Sequence, residues 1–184
     1  MDWLDPMRDL LQPLQAKRLT TRLPIVHLQI EYIEPARGNA YYPAPKFVAE
    51  ITADGQSVGR IDYAINPLGD RLYINKIDIH PEFKRRGYAL AVLWQLHREN
   101  GLPIVPVAIY STSEAHGFWS KARQTLKAAG ADVEGEMRTA ELLHEQLRWQ
   151  HLVPELPHER QIRELMASPE WPEIEAGFKA RQTL

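Results

Sequence analysis

The stretch His80-Pro81-Glu82-Phe83-Lys84-Arg85-Arg86-Gly87-Tyr88-Ala89 concentrates the chemistry of this chain. A strand-like run ends at His80, a loop with three consecutive cations follows, and a helical period begins directly after one glycine. Backbone N–H groups at a helix N-terminus lack intrahelical partners, and the helix dipole favours negative charge there. Gly87 lets an anion approach the backbone with no Cβ in the way. Lys84, Arg85 and Arg86 add attraction, Tyr88 opens the helix, and Ala89 keeps its first turn small. The ligand expected from this pattern is a phosphate or pyrophosphate. A solvated basic loop that merely precedes a helix is the ordinary alternative, and the strand–loop–helix setting weighs against it. Neither Gly-x-x-x-x-Gly-Lys-Ser/Thr nor Gly-x-Gly-x-x-Gly occurs, so nucleoside triphosphate and dinucleotide sites lose ground.

His116 is the candidate for proton transfer. It follows Thr112 by four residues and precedes Trp119 by three, which puts the three on about one helical face. Imidazole ordinarily titrates near neutral pH and so suits acid–base work. An exposed helix histidine with no task is the competing explanation. Asp78 and His80 flank Ile79 and offer a proton relay, or simply face solvent. The seven histidines form no His-Glu-x-x-His, and no carboxylate–His cluster has zinc spacing, so no metal site is expected. The absence of cysteine excludes a disulfide scaffold, a thiol nucleophile and an iron–sulfur cluster. Tyr41-Tyr42, beside Pro43 and Pro45, either lines an acceptor pocket or packs within a surface loop.

A chain of 184 residues holds one domain, or one domain with an appendage. It can bury roughly two-thirds of its unfolded surface without a staple. With 44% apolar and 25% charged residues its composition is globular. The net charge of −2 argues against a general nucleic-acid coat. No apolar run approaches the roughly 18 residues of a membrane span, and the first residues do not read as a signal peptide. The expected location is the cytoplasm.

The elements that must position these residues follow from periodicity. Trp3, Leu4, Met7, Leu10, Leu11 and Leu14 outline a short docking helix that Pro13 should end or kink. Ile25 to Ile33 alternates, with Val26, Leu28, Ile30 and Tyr32 on one face. Phe47 to Thr52 and Val58 to Ile65 flank the turn dipeptide Asp54-Gly55, a hairpin signal. A fourth strand runs from Arg71 to His80. Its Leu72 and Ile74 share one parity and its Ile77 and Ile79 the other. One extra residue near Asn75-Lys76 would put all four on one side, as a β-bulge does, and burial of both faces would leave the parity uninformative. From Tyr88 the period is helical through Leu90, Leu93, Trp94, Leu96 and His97, ending at the cap pair Asn100-Gly101. Ile104 to Tyr110 reads as a fifth strand, parallel to the fourth by a βαβ crossover. Phe118, Ala122, Leu126 and Ala129 line a helix stopped by Gly130, and Val133 to Arg138 offers a last strand. Residues 139–184 form a helical C-terminal extension to a domain at 1–138. It carries Leu142, Leu143 and Leu147, then Ile162, Leu165 and Met166, then Trp171, Ile174 and Phe178 behind a Ser168-Pro169 start. If this last stripe does not dock on its own sheet, it suggests a homodimer contact. The fold class is α+β: a mostly antiparallel sheet with one parallel pair, flanked by helices.

Ile77-Asp78-Ile79-His80-Pro81-Glu82-Phe83 followed by Lys84-Arg85-Arg86-Gly87-Tyr88-Ala89 resembles the signature of the GNAT acyl-CoA N-acyltransferase superfamily. That signature is a strand, a Pro-Glu-aromatic step, and Gln/Arg-x-x-Gly-x-Gly/Ala opening a helix. Lys84 departs from it at the first motif position. The resemblance covers roughly residues 25–130 and implies a GNAT-like fold with acetyl-CoA as co-substrate. It implies that the loop amides hold the CoA pyrophosphate and that backbone near Ile77 and Ile79 pairs with the pantetheine arm. The position of the family's usual strand glutamate is Asn75, which cannot act as a base. The family's helix-start asparagine and acid tyrosine fall at Thr112 and Trp119, of which Thr112 keeps a hydrogen bond to the cofactor and Trp119 loses the acid. The connector Glu34 to Lys46 holds 13 residues where the family inserts two helices, so the acceptor stays open: a small amine, a polyamine, a peptide terminus or an aminoacylated RNA. Two functions result: an N-acetyltransferase acting on a primary amine, and a catalytically degenerate module that binds CoA or a protein without turnover.

Overall fold

The computed structural model describes residues 5–34, 45–108, 113–155 and 157–182, with side chains described except at 5–10, 34, 113, 114 and 178–182. Thr112, Tyr41 and Tyr42, singled out above, lie outside the described residues.

Five strands form one mixed sheet in the order β1 (His27–Glu34), β2 (Lys46–Ala53), β3 (Gln56–Ile65), β4 (Leu72–Ile79) and β5 (Ile104–Pro106). The first four pair antiparallel and β4 with β5 parallel, so the chain is α+β with one parallel pair. Asp54 and Gly55 both take positive φ, 49° and 75°, at the β2–β3 turn, the pair of left-handed residues that suits the strand twist. The β4 bulge is present. Asp62 faces Lys76 while Tyr63 faces Ile74, so Asn75 is the extra residue. Leu72, Ile74 and Ile79 are therefore buried in one core, with Ile77 packed against it.

That core is completed by α1 (Asp5–Arg22), α2 (Tyr88–Asn100) and α3 (Ser113–Ala128). α2 buries Ala91, Val92, Leu93, Trp94 and Leu96, and closes on Gly101, whose N–H donates to His97 O at φ 68°. α3 contributes Trp119, Ala122 and Leu126.

Pro13 does not end α1, which runs on to Arg22. Docking uses Ala16, Leu19 and Leu23, while Leu11 and Leu14 stay half-exposed. That burial, with the bond from Trp94 Nε1 to Thr20 Oγ1 (3.0 Å), offsets the roughly 3 kcal/mol that an interior proline costs. In β1 a register shift between Ile30 and Tyr32 puts Ile33, not Tyr32, on the face of Leu28 and Ile30. The fifth strand is shorter than expected, and Val133 to Met137 meets it only as two isolated parallel bridges, Ile104–Val133 and Val107–Met137.

α4 (Thr139–Trp149) belongs to the compact unit Met1–Leu152. Its docking stripe is Leu142, Glu145 and Trp149, and Leu143 and Leu147 are exposed. Glu145 accepts from Tyr73 OH (2.6 Å), Arg71 Nη1 (2.6 Å) and Arg148 Nη1 (2.5 Å). Arg148 also binds Asp70, which Asn66 Nδ2 meets at 2.7 Å. The second unit, Val153–Leu184, holds α5 (Pro157–Met166) and α6 (Trp171–Gln182). α5 buries no residue. Ser168 does not cap α6: the helix starts at Trp171, and the Ser168 hydroxyl is shielded with no partner among the described residues. The Phe178 side chain lies outside the described residues.

Candidate functional site

The parallel pairing of β4 and β5 lasts three residue pairs, Leu72–Ile104, Tyr73–Val105 and Ile74–Pro106, and closes with Val107 N–H to Ile74 O (3.0 Å). It stops at the bulge. Beyond it, β4 pairs only with β3 among the described residues. His80 N–H donates to Val58 O (2.9 Å), and hydrogen bonds to one neighbour alternate along an antiparallel strand. The N–H and C=O groups of Ile77 and Ile79 therefore point to the opposite edge, the side that β5 has left. Asn75, at the point of separation, has both Oδ1 and Nδ2 shielded from solvent and unpartnered among the described residues.

A 3-10 turn over Pro81–Phe83 carries the chain off β4, with Phe83 N–H to His80 O and Lys84 N–H to Pro81 O. Arg85 then adopts φ 65° and Gly87 φ 91°. A left-handed residue with a Cβ costs on the order of 1 kcal/mol or more, so the loop holds a conformation its sequence does not favour at Arg85. Gly87 is the N-cap of α2, and no side chain caps the helix. The first N–H satisfied by the chain is Ala91, on Gly87 O (2.9 Å). No acidic residue occupies the first turn. Lys84, Arg85 and Arg86 are exposed. Arg86 lies over the Phe83 ring, 5.7 Å from its centroid, and Tyr88 meets that ring edge-on at 6.0 Å. Ala89 packs against the core. A Cβ on Gly87 would sit 3.4 Å from Pro24 and 3.6 Å from Leu23, so the loop rests on the connection from α1 to β1. A cavity of about 340 Å³ lies one to three turns along α2, lined by Leu23, Pro24, Val26, Trp94 and Arg98 among others.

His116 is exposed on α3, with Nδ1 at 3.2 Å from Oε2 of Glu136. Trp119 is buried in the core, which removes it from any proton transfer. Glu136 escaped the sequence reading. It stands between Gly135 and Met137 in an extended stretch whose parity marks no buried face, and its partner is 20 residues away. Among the described residues no group of His, Asp or Glu is arranged to hold a metal ion, and no helix is long and apolar enough to cross a membrane.

The site thus joins a strand edge with no partner among the described residues to an uncapped helix terminus preceded by three exposed cations. It can hold an extended chain by backbone pairing at one end and an anion by N–H groups at the other. No family model matches the sequence, and no curated protein is significantly similar to it.

Proposed function

We propose that this protein is an acetyl-CoA-dependent N-acetyltransferase of GNAT-like fold, acting on a primary amine. One observation carries the reading: β4 loses its parallel partner at the Asn75 bulge and leads, through three exposed cations, into a helix whose first N–H groups have no cap. Acetyl-CoA offers the complementary shape, with a pyrophosphate for Arg86, Gly87, Tyr88 and Ala89 and an amide-bearing arm for the edge at Ile77 and Ile79. Thr112 is assigned to the same cofactor by resemblance alone. His116 is the residue assigned to proton transfer, since Asn75 has no basic group and Trp119 is buried. Attack of a free amine on a thioester needs mainly positioning, which the split between β4 and β5 supplies.

Asn75 and Trp119 favour a second reading, a module that binds CoA or a protein partner without turnover. Release of free thiol separates the two. The chain has no cysteine, so a thiol-reactive dye reports CoA alone. With acetyl-CoA and a panel of primary amines, polyamines and peptides, the enzyme reading expects release above the no-amine rate and an acetylated product by mass spectrometry. Binding of acetyl-CoA with no product across the panel would leave the non-catalytic module.

A further inference from the structure

Glu136 lies outside every motif the acyl-transfer proposal draws on. Its side chain is 8% exposed, against 73% for His116. Oε1 is shielded and unpartnered among the described residues, and Oε2 meets only His116 Nδ1 at 3.2 Å. Burying a carboxylate costs free energy unless it is paired, so this single partner matters to it. The mounting is firm. Met137 N–H donates to Pro106 O and Ala108 N–H to Met137 O, both at 2.9 Å. Arg123, two helical turns after His116, donates through Nε and Nη2 to Glu134 O at 3.2 and 3.1 Å. α3 and the extended segment are therefore tied at two points on one helix face. An ionised carboxylate only accepts, so the imidazole nitrogen facing it carries the hydrogen and the other nitrogen of the neutral ring keeps a lone pair.

We infer that Glu136 is a positioning residue that fixes His116 as the Nδ1–H tautomer and turns Nε2 to solvent as proton acceptor, a His–Glu pair that supplies the base Asn75 cannot be. The chemical role rests on the acyl-transfer proposal; the tautomer does not. The amine lone pair forms the C–N bond to the thioester carbonyl, and its proton passes to Nε2. The C–S bond then breaks with its electron pair on sulfur, and the imidazolium returns the proton to the thiolate. Products are the acetamide and CoA thiol, with no other reactant.

Nitrogen-15 NMR of the full chain reads the tautomer without substrate. His116 is expected as Nδ1–H in the wild type and displaced toward Nε2–H in Glu136→Leu, a change that fills the pocket without an unpaired polar atom. In turnover, Glu136→Leu is expected to lower kcat about 100-fold with KM for acetyl-CoA unchanged, the scale of general-base catalysis. Glu136→Asp should restore part of it, and His116→Ala/Glu136→Leu should be no slower than His116→Ala, because the two act as one unit. A wild-type ring that is Nε2–H, a tautomer indifferent to Glu136→Leu, or an additive double variant would overturn the inference. Absence of acetyl transfer by the wild type would refute the acyl-transfer proposal, while the ring spectrum still decides the pairing.

Discussion

Glutamine in place of Glu145 breaks the polar knot that fastens α4 to the sheet and leaves the shape of the side chain nearly unchanged. The carboxylate is 7% exposed and accepts from Tyr73, Arg71 and Arg148. A hydrogen bond to a charged group contributes about 1.5–3 kcal/mol when buried. The Tyr73 bond counts in full, whereas Arg71 and Arg148, 25% and 38% exposed, count for less because water screens them. Glu145→Gln should therefore cost about 3 kcal/mol, near 6–12 °C in Tm for a unit of this size. Tyr73→Phe, which leaves the carboxylate its two arginines, should cost about 1 kcal/mol, and the pair should be non-additive. The pH dependence fixes the mechanism. Burial pushes the Glu145 carboxyl up, but the bonds from Tyr73, Arg148 and Arg71 outweigh it and hold the group below its ordinary value. The native state thus binds this proton less readily than the unfolded chain. The stabilisation is complete above the ordinary glutamate range, about 4.3, and disappears as pH falls through the lower native value. Urea unfolding of wild type and variant from pH 7 to pH 3 measures this. A gap below about 1 kcal/mol at pH 7, or one that survives undiminished in acid, would refute the reasoning.

Gly59→Ala should be among the most damaging single changes. Its Cβ would lie 2.2 Å from the backbone O of Asp78, and neither strand can give way, so a loss of about 3 kcal/mol or more is expected in denaturant unfolding. Pro13→Ala should act in the opposite sense. It restores a missing N–H in the middle of α1 and should raise stability by about 1–3 kcal/mol, and a lower Tm would show that the proline is required there. Ending the chain after Leu152 should leave a cooperatively unfolding unit with Tm within a few degrees, because α5 buries none of its residues and its contacts cluster apart. A non-cooperative melt would contradict the division into two units.

Local signals in the sequence carried the elements around the site. Two turn residues located the β2–β3 hairpin, the parity switch from Ile74 to Ile77 located the bulge, and Asn100-Gly101 located the end of α2. Each is a short-range constraint written in neighbouring residues. The failures are long-range. Pro13 was overridden by contacts of Leu19 and Thr20 with other elements. The docking stripe of α4 was not legible because the residue at its centre is a glutamate, and two of the three groups that bond it, Arg71 and Tyr73, stand more than 70 positions earlier. The partner of His116 was invisible for the same reason: nothing near Glu136 in sequence marks it as buried. The strand–loop–helix setting of Lys84 to Ala89 was legible in type and position. The left-handed Arg85 within it was not, since arginine has no preference for that conformation.

Calorimetric titration of acetyl-CoA into the purified protein, beside the double change Arg86→Ala and Gly87→Glu, tests the proposed phosphate-binding role of this turn most directly. The account expects saturable one-to-one binding by the wild type and none by the variant, whose new carboxylate stands where the pyrophosphate belongs. No heat from the wild type, or equal affinity in both proteins, would contradict it.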